Sequence, residues 1–148
     1  MSDQPTRRAL AIRAYNAAAD LLDQPELDAD AAFRALADAL ASRELWAPIG
    51  TPVNLLIGDW QVARALCANG LGEDAVAMMS QAVDTANEIG VDDWLKASLH
   101  EGLTRALLAS GDARYATVYS FTESLVAAIA DADDREVIAA QFADLPRP

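Results

Sequence analysis

One segment of this chain is repeated 41 residues further on. Residues 63–70 match residues 104–111, with arginine, alanine, leucine and glycine at equivalent places. Each copy ends at a glycine, and an alanine follows five residues later, at Ala75 and Ala116. A helix, a glycine break and a second helix that recur with a period of roughly 20–50 residues are typical of stacked helical hairpins. The repeat therefore predicts an architecture of helical pairs.

The composition supports an all-α fold. Alanine makes up about a fifth of the 148 residues, and the hydrophobic content of 53% is enough for a packed core. Alanine is the strongest helix former, and its small side chain lets helices pack closely. No segment alternates apolar and polar residues over a useful length, so strands are not expected. We predict a single all-α domain over residues 1–148.

Breaks in the helical pattern divide this domain into three antiparallel hairpins and a short C-terminal capping helix. The predicted bounds are about 6–45, 51–89, 92–130 and, for the cap, 133–143. In the first hairpin, the apolar spacing predicts that Phe33, Leu36 and Leu40 face inward. Thr51 is an N-cap candidate before Pro52, because proline at the first helical position loses no hydrogen bond.

The chain is strongly acidic, with a formal net charge of −12 from 23 acidic and 11 basic side chains. This excess argues against binding to nucleic acid phosphates. We interpret the acids as helix caps and solubilising groups, and an acidic mimic of nucleic acid stays open as a third alternative. No apolar stretch approaches the roughly 20 residues of a transmembrane helix, and no secretory signal is recognised at the N-terminus. We therefore expect a cytoplasmic protein without a membrane partner.

Few residues are suited to catalysis or metal binding. One histidine and one cysteine cannot form a usual zinc site, and there is no phosphate-binding glycine loop, so we expect no metal or cofactor. His100 and Glu101 are adjacent on a predicted helix and point about 100° apart, which does not suit an acid–base dyad. We favour a surface histidine and a Glu101–Arg105 ion pair, and no catalytic residue is assigned. The alternative is a small helical enzyme that uses Glu101 or His100 as the acid–base group in an interior pocket.

Two segments resemble the turn and second helix of tetratricopeptide repeats, in which a small residue lets the second helix lie close to the first. They contain Gly70, Ala75, Met79 and Ala82, and then Gly111, Ala116 and Ser120. A wider set of motifs is similar to a group of small uncharacterised bacterial tetratricopeptide-like proteins. Its elements are Gly50-Thr51-Pro52-Val53-Asn54, Trp60-Gln61, Gly90-Val91-Asp92-Asp93-Trp94, Glu101, Arg105-Ala106, Gly111-Asp112 and Asp133-Asp134-Arg135. The resemblance implies a stack of hairpins whose first helices line a concave face.

The repeat register then singles out a candidate ligand site. Trp60 and Glu101 are equivalent on the first helices of consecutive hairpins, and so are Arg64 and Arg105. Packed helices lie about 8–10 Å apart, so the two guanidinium groups could converge on a carboxylate or phosphate, with Trp60 as an apolar floor. In the alternative interpretation, the arginines pair with carboxylates such as Asp59 and Glu101, and Trp60 belongs to the core.

These observations favour a non-catalytic binding or scaffold module. Its concave helical face would hold a peptide, a partner helix or a small acidic ligand. A homodimer that buries an exposed apolar helix also stays open.

Overall fold

The computed structural model describes residues 4–148, and these form seven α-helices without a strand. The helices are α1 (Gln4–Leu22), α2 (Ala29–Trp46), α3 (Pro52–Ala68), α4 (Gly72–Ile89), α5 (Asp93–Ser110), α6 (Tyr115–Ala127) and α7 (Ala132–Phe142). The predicted all-α class, the three hairpins and the C-terminal helix are confirmed. The prediction about a secretory signal concerns the first five residues, and residues 1–3 lie outside the described part.

The hairpins stack so that their first helices lie on the inner side. Within hairpins, α1 packs on α2, α3 on α4 and α5 on α6, and the stack continues through contacts between α2 and α3 and between α4 and α5. The first helices also touch one another, α1 with α3 and α3 with α5. Among the described residues, α2 and α4 make no such contact, and neither do α4 and α6. The stack therefore curves around α1, α3 and α5, and α7 folds back onto α5 and α6.

Local sequence signals explain where the helices begin and end. Thr51 and Asn54 form a reciprocal capping box, in which Asn54 Oδ1 accepts from Thr51 N at 2.9 Å and Thr51 Oγ1 accepts from Asn54 N at 3.4 Å. Three helix ends carry glycine with φ near +70°, a backbone conformation that other residues rarely adopt. These glycines are Gly70, Gly90 and Gly111. The predicted cap at Thr51 and the predicted glycine breaks at Gly70 and Gly111 are confirmed.

The orientation of α2 differs from the prediction. Its buried face is formed by alanines and Ser42, whereas Phe33 is 66% exposed, Leu40 is 44% exposed and only Leu36 is half-buried. The expectation that all three large apolar residues face inward is wrong for Phe33 and Leu40. The reason is the close packing of α1 and α2, because a face of small side chains brings two helices nearer than a face of large ones.

The second repeat also departs from the first at its turn. Helix α4 begins two residues after Gly70, whereas α6 begins four residues after Gly111. Asp112 Oδ1 accepts from the backbone N of Arg114 at 2.8 Å and so holds the longer turn. As a result Ala75 is buried against the neighbouring helix, as predicted, but Ala116 is exposed, contrary to prediction.

Within residues 4–148, none of the helices combines the length and the apolarity that a membrane-spanning segment requires.

Candidate functional site

A buried carboxylate joins α3 to α5. Glu101 is fully buried, and its Oε2 accepts a hydrogen bond from Trp60 Nε1 at 2.8 Å. Its Oε1 accepts from Arg105 Nε at 2.9 Å and from Arg105 Nη2 at 2.7 Å. Both carboxylate oxygens thus have donors, and the charge of Glu101 is matched by a guanidinium group. Trp60 and Glu101 are the equivalent pair of the sequence repeat, so the predicted register places them in direct contact.

The structure also brings Arg64 to this cluster. Its guanidinium carbon lies 5.7 Å from the centre of the Trp60 ring, within the range of a cation–π contact. Nη1 of Arg64 lies 3.5 Å from Asp23 Oδ1 at the end of α1. The four residues singled out from the repeat therefore form one contiguous cluster, with Trp60 and Arg64 on α3 and Glu101 and Arg105 on α5. Their role in ligand binding stays a prediction.

The guanidinium group of Arg105 already binds other parts of the protein. Arg105 also donates from Nη2 to the backbone oxygen of Gln141 at 3.1 Å, so it ties α5 to α7. Asp59, which was an expected partner of an arginine in the cluster, instead accepts from Arg43 Nε at 2.6 Å. Arg105 donates to a buried carboxylate and to a backbone carbonyl, so its guanidinium group links α3, α5 and α7.

A glycine that the sequence reasoning did not single out makes the cluster possible. A Cβ at Gly102 would lie 2.9 Å from Trp60 Cδ1 and 3.1 Å from Met79 Cε. Only glycine therefore lets the indole pass close over α5 to reach Glu101. The available signal was a glycine in the interior of a helix, which generally indicates a close approach of another group.

Trp60 is 8% exposed and belongs to the hydrophobic core, as the alternative interpretation held, and its small accessible part lines a cleft on the inner face of the stack. This cleft has a volume of about 340 Å³ and lies between α1, α3, α5 and α7. A smaller cleft of about 140 Å³ adjoins it, since the two share Tyr15 and Ile57 in their walls. Trp94 and Val137 line the larger cleft, and Trp46 lines the smaller one. We call the two adjoining clefts the tryptophan groove, because they collect all three tryptophans of the chain.

The groove is mostly apolar, and the charged side chain that lines it lies on α7. Asp134, at the start of α7, is the one charged side chain that lines it within the described residues. The pKa of Asp134 is raised by partial loss of hydration and by the repulsion of nearby aspartates. On the α1 side of the groove, Arg64 lies near Tyr15. The pKa of Tyr15 is raised, because the effect of burial is larger than the attraction between the guanidinium group and the ionised hydroxyl. The side-chain oxygen of Gln141, which also lines the groove, is buried without a hydrogen-bond donor.

His100 lies outside this groove. The residue is 8% exposed, and its Nδ1 lies 2.8 Å from the backbone oxygen of Lys96. Its ring packs edge-on against that of Phe121 on α6, at 5.2 Å between ring centres. The expectation of a surface histidine is wrong, because α6 covers it. Burial lowers the pKa of His100, so the ring is neutral at pH 7. His100 and Glu101 line neither cleft of the groove, so the groove offers them no common pocket for acid–base chemistry.

Comparisons with protein-family models, curated proteins and solved structures gave no significant match for this chain. The resemblance to tetratricopeptide-like proteins therefore stays a prediction.

Proposed function

We propose that this protein is a non-catalytic binding module whose tryptophan groove holds an apolar segment of a protein partner. The observation that carries the proposal is the collection of Tyr15, Trp46, Trp60 and Trp94 along one open groove. Tryptophan and tyrosine dominate the binding energy of protein interfaces, because each buries a large area and loses little conformational freedom.

The shape of the groove favours a chain segment over a compact ligand. It runs from Trp46 at the end of α2, past Tyr15 and Ile57, to Val137 on α7. Val137 is 57% exposed, so the α7 rim is open to solvent. An apolar groove that several helices line and that is open at its rim suits the side chains of an extended segment or one face of a helix.

The same geometry argues against the small acidic ligand that the repeat register suggested. The guanidinium group of Arg105 is neutralised by Glu101, and Arg64 shares its charge with Asp23. An anion in the groove would meet Asp134 and no free cation among the lining residues. A protein segment is therefore the better occupant.

A peptide selection tests the proposal directly. We expect a random peptide library displayed on phage to yield sequences with one or two large apolar residues that bind the immobilised protein. Synthetic copies should shift the tryptophan emission of the protein, because all three tryptophans line the groove. Val137→Asp should weaken binding at least 10-fold by placing a charge on the rim. Val53→Asp, the same change at an exposed position outside the groove, should leave it unaltered.

Two results would contradict the proposal. One is a set of peptides that bind Val137→Asp as tightly as the unaltered protein. The other is that a second copy of the chain fills the groove. The tryptophan emission would then depend on protein concentration, and this dependence would be absent in Val137→Asp. Circular dichroism of both variants establishes that the exposed substitutions leave the fold intact.

A further inference from the structure

We propose that the partner segment carries a lysine or arginine beside its apolar anchor, and that this cation pairs with Asp134 at the α7 end of the tryptophan groove. The inference rests on the proposed function and specifies the chemistry of the partner. It is carried by the polar groups that line the groove and by the unbalanced charge at one of its ends.

The polar groups in the larger cleft favour a partner that donates hydrogen bonds. Asp134 is acceptor-only when ionised, and it is exposed at the edge of this cleft, where a solvent-borne ammonium or guanidinium group can reach it. An incoming carboxylate would add an acceptor where acceptors are already in excess.

The negative charge at this end is only partly compensated by the protein itself. Five aspartates gather where α5 and α7 begin, and they are Asp92, Asp93, Asp131, Asp133 and Asp134. Within the described residues, none of the five forms an ion pair. Arg135, which follows Asp134 in the chain, donates from Nη1 to the backbone oxygen of Ile129 at 2.8 Å, and its charge offsets part of the cluster. The remaining excess of carboxylates attracts a cation on the partner.

The positions of the charges also orient the partner. Trp94 and Asp134 line the same cleft, so a lysine or arginine stem can lie across the indole while its head reaches the carboxylate. Among the described residues, Asp134 is the one charged side chain that lines the groove, so no second carboxylate there competes for the cation. The basic residue is thus expected at the α7 end, and the rest of the apolar segment should continue past Tyr15 towards Trp46.

Charge substitutions in both molecules test this inference. Among the peptides whose binding is lost in Val137→Asp, we expect lysine or arginine to be enriched next to the apolar anchor. Asp134→Asn should raise their Kd about 3- to 10-fold, measured by tryptophan emission at low salt, and the difference should shrink at high salt because screening weakens exposed pairs. Asp84→Asn, which removes the same charge from an exposed position on α4, is the matched control and should leave Kd unchanged.

Exchanging the charges of the peptide and of residue 134 is a stricter test. Replacing the basic residue of the peptide with glutamate should abolish binding to the unaltered protein, and Asp134→Lys should restore it. If groove-dependent peptides show no basic enrichment, and Asp134→Asn behaves like Asp84→Asn, the inference is wrong and the proposed function stands. If no groove-dependent peptide is obtained, both fail.

Discussion

The buried Glu101 carboxylate is expected to stabilise the junction of α3, α5 and α7, and Glu101→Gln probes it with little change in volume. An amide can accept from either Trp60 or Arg105, but its NH2 group then faces the other donor. One donor is left without an acceptor, and the Arg105 guanidinium loses the carboxylate that lies 2.7 Å away. The substitution therefore removes charge and hydrogen bonding together.

The magnitude follows from the burial of the pair. Removing one member of a buried ion pair generally costs about 3–5 kcal/mol. Arg105 is 18% exposed and keeps its bond to the Gln141 backbone, so the lower end of that range applies. We expect Glu101→Gln to lower the free energy of unfolding by about 3 kcal/mol, which corresponds to a fall in Tm of about 6–12 °C for a domain of this size. Glu101→Ala should cost more, because it also leaves a cavity.

Urea unfolding followed by circular dichroism measures these changes. Glu88→Gln, at an exposed site near the end of α4, is the control and should stay within about 0.5 kcal/mol of the unaltered protein. Trp60→Phe removes the indole donor, and its cost should be smaller by about 1 kcal/mol or more when Glu101 is already alanine, which has no acceptor for the indole. A loss below about 1 kcal/mol for Glu101→Gln, or identical costs of Trp60→Phe in both backgrounds, would refute the assigned role of the carboxylate.

Three further measurements examine other parts of the structure. Gly72→Ala should lower the free energy of unfolding by about 1–3 kcal/mol, because the added Cβ would lie 2.7 Å from the backbone nitrogen of Ser110. Urea unfolding measures this loss. Burial lowers the pKa of His100, so the unfolded chain binds a proton there more readily than the folded protein does. The free energy of unfolding should therefore fall below about pH 6.5, with a contribution from this residue of at most about 1.4 kcal/mol per pH unit. The decrease should be smaller in His100→Gln. A pH-independent difference between the two proteins would contradict this. Burial raises the pKa of Cys67 to about 11, so a thiol reagent at pH 8 should react about 100-fold more slowly with the folded protein than with the unfolded chain. Equal rates in the folded and unfolded protein would show that the thiol is accessible and ionises normally.

Local chemistry in the sequence determined the elements of this fold. The start of α3 at Thr51 and the helix ends at Gly70 and Gly111 depend on residues within a single turn, and they were predicted correctly. The repeat of 41 residues also identified a contact between distant parts of the chain. Stacked hairpins place equivalent residues next to each other, and Trp60 and Glu101 are hydrogen-bonded for that reason.

Only the tertiary structure decided which helix faces are buried and what lines the groove. Phe33 was expected inside from the apolar spacing along α2, but the face of α2 that packs on α1 consists of small side chains. His100 is buried because α6 covers it, and the repeat gives no indication of that contact. The three tryptophans of the groove lie on separate helices, and α7 forms one wall of the groove by folding back onto α5 and α6. Periodicity along one helix shows which residues share a face, whereas the distance and angle between helices determine which face is covered.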